Sequence, residues 1–221
     1  MYRIARILVL IDDSAHARGT IELAALTAAR FDARLTALYV ADPFTGTYLT
    51  PEISTAVVEI AREQFAAGCE RARQLVEEVS RETGRRIDLV DPTAIPQVDV
   101  IQRCRYADLV VVSQRDPNEH PRPRTSVSTR LLLMAGRPLL FRPYASEIQE
   151  CGRRILVAWS DTRESARALH DALPWLKGAE SVEVAAFRPA DVDMDASLDS
   201  VLELLDAHGI QATASQHTGP S

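Results

Sequence analysis

ADLVVVSQRDPNEHPRPRTSVSTRLLLMAGRPLLFRP, from Ala107 to Pro143, reads as a buried strand, a long polar loop, a short helix and a second buried strand. Leu109 to Val112 form an apolar, β-branched run too short for a helix. Leu131, Leu132, Leu133 and Met134 give the segment after the loop an apolar side, and Gly136 with Pro138 stops it. Leu139 to Arg142 then make the second strand. Strand, helix and strand in this order are the unit of a parallel sheet, and the rest of the chain supplies more such units.

Working back to the N-terminus, Arg6 to Ile11 is a near-continuous apolar run, the pattern of a parallel strand covered on both faces. Asp12, Asp13 and Ser14 follow directly, with Ser14 placed to cap a helix running to about Arg30 on the buried stripe Ile21, Ala24, Ala25 and Ala28. Leu35 to Val40 reads as the second strand, and Ala41, Asp42 and Pro43 turn it into a loop. From Ser54 to about Thr83 apolar residues return to one face, from Val57 and Ile60 through Phe65 and Cys69 to Val76 and Val79, before Gly84 ends the helix. The charges on its other face read as solvated surface. Ile87 to Val90 is a third strand, and Val98 to Arg105 a crossover helix into the strand at Leu109.

This alternation predicts an α/β, doubly wound, five-stranded parallel sheet over residues 1–143, with Ile7 to Ile11 flanked by Leu35 to Val40 and Leu109 to Val112. Residues 144–152 lack periodicity and read as a linker. The pattern then restarts. Ile155 to Trp159 parallels Ile7 to Ile11, and Ser160, Asp161 and Thr162 fall where Asp12, Asp13 and Ser14 fell. Val182 to Phe187, Leu198 to His208 and Ile210 to about Ser215 would be the repeat's next strand, helix and strand, so residues 153–221 read as a partial second domain.

Composition sets the class. With 46% hydrophobic and 25% charged residues in 221, the chain can bury a sizeable core. A net charge of −6 argues against a general nucleic-acid or anionic-membrane partner, although Arg115, Arg122, Arg124 and Arg130 form a local exception. No run of apolar residues is long enough to span a bilayer, and the strand-length stretch MYRIARILVLIDD is unlike a signal peptide, so the expected location is cytoplasmic. Cys69, Cys104 and Cys151 lack the paired spacing of a zinc or dithiol site, and the histidines show no HxH or HExxH pattern, so no metal is expected.

Ser126, Val127 and Ser128, opening the helix after the polar loop, and GRPLLFRP, leading into the last strand, resemble the universal stress protein family. The resemblance implies the universal stress protein and adenine nucleotide alpha hydrolase-like fold, here as the tandem, two-domain type with a truncated second domain. Where the family reads Asp-Gly-Ser after its first strand, Asp12 and Ser14 match and Asp13 stands in the glycine's place. Three loop positions where the family keeps glycine carry Ser113, Asp116 and Thr125.

In a doubly wound sheet the ligand crevice lies beyond the carboxyl ends of the strands, where strand order reverses. In the family's order that is between strands one and four, which Asp12 to Ser14 and Ser113 to Ser128 bound, with Val40 and Ala41 within reach. The resemblance implies ribose, phosphate and adenine contacts at these three places respectively. The candidate nucleotide- or anion-binding residues are therefore Asp12, Ser14, Val40, Ser113, Arg115, Thr125, Ser126 and Val127. Glycine lets a phosphate loop bring its N–H groups close to phosphate oxygens, a freedom that serine, aspartate and threonine lose. Asp116 adds negative charge there, and Pro117, Pro121 and Pro123 remove donors.

The expected function is a regulatory or interaction protein of the stress response with degenerate nucleotide binding and no cofactor. The alternative is an ATP-binding universal stress protein with at most slow ATP hydrolysis. No GxSxG elbow, Walker motif or spaced nucleophile and histidine supports an enzyme or an unrelated doubly wound hydrolase. The expected partners are a second copy, joined as a homodimer through the fifth strand, and other proteins, with neither nucleic acid nor membrane.

Overall fold

Arg6–Ile11 forms β1, and every residue after Arg6 is buried, as a strand covered on both faces requires. The computed structural model describes residues 3–40, 55–90, 100–114, 116, 127–145, 147–148, 150–188 and 194–218. Within it the chain forms two units, Arg3–Gln149 and Glu150–Ser221.

In the first unit β1 is followed by α1 (Ala17–Phe31), β2 (Arg34–Tyr39), α2 (Thr55–Thr83), β3 (Ile87–Val90), α3 (Val100–Cys104), β4 (Leu109–Ser113), α4 (Val127–Met134) and β5 (Leu139–Arg142). The five strands form one parallel sheet in the order β3-β2-β1-β4-β5. Strand order reverses between β1 and β4, as expected. The Asp108 carboxylate locks that junction, its Oδ2 accepting the N–H groups of Ala5 and Arg6 at 2.9 Å each. Ile7, Ile11, Ile21, Leu35 and Leu38 are among the fully buried side chains, each stabilising the fold by roughly 1.5–3 kcal/mol.

Two expectations change. The helix expected from Ser14 begins at Ala17, its N-cap is His16, and no side chain caps it. The cause is local, because Asp12 draws the Ser14 N–H and hydroxyl into a turn of their own before the helix starts. In α4, Leu131 is buried while Leu132, Leu133 and Met134 are exposed, Leu133 at 81%. Four consecutive helical residues sweep nearly a full turn, so the inward face is Leu131 with Ala135, one turn apart.

Helix ends follow the expected chemistry. Gly84, with φ of +65°, takes the left-handed conformation that terminates α2, and Asp32 does the same after α1, its N–H donating to Ala28 O and Ala29 O.

The second unit contains β6 (Arg154–Trp159), α5 (Arg163–Leu176), β7 (Ser181–Arg188), α6 (Asp195–Ala207) and β8 (Thr213–Thr218), its strands parallel in the order β6-β7-β8. Thr162 and Ser165 form a reciprocal capping box at the start of α5. Both helices pack on one face, where Trp159, Leu169, Val184, Val201 and Leu205 share a core. Burial therefore alternates along β6, and Leu156 and Phe187 on the other face are 60% and 63% exposed. The last strand lies later than the expected Ile210 to Ser215, since Ile210 is buried in the core and the polar TASQHT run pairs with β7. Among the described residues, no helix is long and apolar enough to cross a membrane.

Candidate functional site

The carboxyl ends of β1, β2 and β4 meet at one end of the first sheet. Val40 N–H donates to Ile11 O at 2.7 Å, stitching the exit of β2 to the exit of β1. Val9 is level with Val111, so continuing the register sets Ile11 beside Ser113. Asp12, Ser14, Val40 and Ser113 are thereby brought to the same rim. Val127 opens α4, and Arg115, Thr125 and Ser126 lie outside the described residues.

Asp12 and Ser14 bind each other. Asp12 Oδ1 accepts the Ser14 hydroxyl at 2.6 Å and the Ser14 N–H at 3.1 Å, while Ser14 Oγ accepts the His16 N–H at 3.3 Å. This turn fixes the corner after β1 before any ligand arrives. Ser113 is the half-buried last residue of β4 rather than a loop residue, and its hydroxyl donates to Gln114 O at 3.2 Å. Gln114 N–H in turn donates to Arg142 O, so β5 pairing continues through the rim.

The residue between Asp12 and Ser14 makes the corner's strongest contacts. Asp13 Oδ2 accepts the Tyr39 hydroxyl at 2.5 Å, and Oδ1 accepts from Arg71 of α2 at 2.6 Å. Burial first, and the bond to Asp13 second, push the Tyr39 hydroxyl far above the ordinary tyrosine range, so it remains a donor. Phe65 packs on the Tyr39 ring at 5.7 Å between centroids. At Gly68 a Cβ would overlap the Tyr39 hydroxyl, so glycine is what lets α2 lie so close.

Sequence reasoning missed this bridge. Arg71 sits among the charges of α2 that read as solvated surface, and its neighbours Glu78 and Glu82 are engaged too, both pairing with Arg18 of α1. A second missed contact joins α1 to β5, where Arg142 is buried against Gly19, whose missing Cβ makes room for the guanidinium. The signal available was small: two glycines, Gly19 and Gly68, inside strongly helical segments.

The corner can hold a donor through Asp12, while Asp13 holds the Tyr39 proton and Asp12 the Ser14 hydroxyl. Among the described residues no group of three histidine, cysteine or acidic side chains could hold a metal.

Comparison with known proteins agrees with this architecture. The chain matches a universal stress protein from Archaeoglobus fulgidus over 99% of its own length and 80% of that chain, at 16% identity and a TM-score of 0.72. The universal stress protein UspA of Lactobacillus plantarum aligns with 64% of this chain and 99% of its own, at 24% identity and a TM-score of 0.47. A universal stress protein family member from Burkholderia pseudomallei aligns with 63% of this chain and 96% of its own, at 25% identity and a TM-score of 0.41. No curated protein matches significantly. The model of the universal stress protein family matches residues 3–141, from the residues before β1 into β5, and the chain belongs to that family.

Proposed function

We propose that this protein is a cytoplasmic regulatory or interaction module of the stress response whose nucleotide site is degenerate, and that it acts without a catalytic step. The observation that carries this reading is Asp13. At the place of a family glycine it carries a carboxylate and spends it on Tyr39 and Arg71, tying the exits of β1 and β2 to α2. In the sequence, Ser113, Asp116 and Thr125 stand where the family keeps the glycines that let a backbone approach phosphate, and Asp116 adds a negative charge.

The alternative, ATP binding with slow hydrolysis, is favoured by Asp12. Among the described residues both of its hydrogen bonds fall on Oδ1, which leaves Oδ2 as an acceptor for a ribose hydroxyl. Calorimetric titration with Mg-ATP separates the two. The proposal expects a dissociation constant weaker than ~1 mM, corresponding to about −4 kcal/mol, and micromolar binding would replace it with the alternative.

The same proposal takes the second unit as a partial repeat of the first, making the chain tandem in type. Supporting this, β6-β7-β8 has the parallel order of β1-β2-β3, and Ser160, Asp161 and Thr162 leave β6 as Asp12, Asp13 and Ser14 leave β1. It also assigns self-association to β5, which lies at the edge of the first sheet.

A further inference from the structure

Beyond the end of β6, between α5 and α6, the second unit holds an open groove of about 420 Å³, a volume within the range of small-molecule sites. Trp159, Leu169, Val201 and Leu204 give it an apolar wall. The wall is held in place: Trp159 is 8% exposed, and its indole N–H donates to Ser197 Oγ at 2.9 Å. Ser200, also at the groove, spends its hydroxyl proton on Ala196 O at 2.9 Å and keeps its lone pairs, and His170 lines the opposite side from α5.

Asp161 stands at the mouth with φ of +53°, a conformation few residues with a Cβ adopt. It occupies the second position after its strand, as Asp13 does after β1. In the first unit that position has its cation within the chain: Arg71 lies on the carboxylate, and the rings of Tyr39 and Phe65 fill the space beneath α2. In the second unit the carboxylate and an aromatic wall recur. Among the described residues, however, no hydrogen bond or ion pair reaches the Asp161 carboxylate, and a groove lies where the first unit has its own side chains.

We propose that this groove binds a small organic cation, an aromatic amine in its protonated form, with the ring against Trp159 and Leu169 and the ammonium on Asp161. The ligand supplies from outside what Arg71 and Tyr39 supply within the first unit. An aromatic wall favours a cation as well as a ring, and the acceptors at the rim suit ammonium donors.

Trp159 and Trp175 are the two tryptophans of the chain, so the intact, isotope-labelled protein gives two indole N–H signals for nuclear magnetic resonance. Trp175→Phe assigns them. Titration with 2-phenylethylamine should move the Trp159 signal saturably, at a dissociation constant of about 1 mM. The neutral isostere 2-phenylethanol should bind at least about threefold more weakly, the strength of one solvent-accessible ion pair. Asp161→Asn, which tolerates the same left-handed backbone, should bring the amine down to the alcohol's affinity and leave the alcohol unchanged. Equal affinities for amine and alcohol in the unaltered protein would overturn the proposal, as would a Trp159 signal that stays still while the Trp175 signal shifts or neither moves.

Discussion

The Tyr39 hydroxyl sits 2.5 Å from Asp13 Oδ2, joining the last residue of β2 to the second residue beyond β1. Tyr39 is buried, whereas Asp13 and its other partner Arg71 are about half exposed, so the two halves of this bridge respond differently to solvent. Tyr39→Phe should lower unfolding free energy by about 1.5–3 kcal/mol, since it removes a hydrogen bond to a charged acceptor while keeping the ring. Arg71→Gln should lower it by less, about 0.5 kcal/mol, and that loss should vanish in high salt as screening removes the surface pair. Urea denaturation at low and high ionic strength checks both.

The pH dependence has a definite sign. The folded-state pKa of Tyr39 is raised, by burial and then by Asp13, so its contribution is complete below the ordinary tyrosine pKa of about 10 and is lost as pH rises through the folded value. Stability should therefore decline above pH ~10, with a shallower decline in Tyr39→Phe. Ultraviolet titration of tyrosinate should show one of the five tyrosines ionising only with unfolding.

Gly68→Ala tests the approach of α2. Alanine favours the helix by about 1 kcal/mol over glycine, yet its methyl group would collide with the buried Tyr39 hydroxyl and ring. The collision should win, giving a net loss of about 1–2 kcal/mol and bringing the late tyrosine titration back toward the others. A stabilised variant with an unchanged titration would show that α2 slides away at no penalty.

Self-association through β5 makes a prediction about alternate residues. Pro138 O accepts from Val110 of β4 and Arg142 O from Gln114 just beyond it, so Leu140, which shares their orientation, also faces β4, while the backbone groups of Leu139 and Phe141 point to the open edge. Phe141→Pro should abolish a dimer with the fold kept, because it removes an outward donor and leaves the β4 ladder alone. Light scattering with circular dichroism decides it, and a monomer before mutation refutes the dimer altogether.

The strands were legible because burial on both faces demands continuous hydrophobicity, as in Ile7 to Ile11 and Leu109 to Val112. Composition could not place β8, whose polar residues are held by pairing with β7. At the site, Asp12 and Ser14 were readable from their position after β1, and their mutual bond explains why the helix starts later than its capping residue suggested. Arg71 was not readable. On the polar face of a helix as long as α2, periodicity separates inward from outward residues, but not the outward residue that overhangs the end of a neighbouring strand.

The insertion of β4 beside β1, fastened by Asp108 to Ala5 and Arg6 across about a hundred residues of chain, governs the order in which the protein can assemble. During synthesis β1, β2 and β3 emerge first, and the flank of β1 stays bare until β4 has been made. In the second sheet each described strand lies beside its predecessor. Long-range closure slows folding and prolongs the exposure of apolar edges, so the interval between the synthesis of β1 and of β4 is when the nascent chain most needs a chaperone.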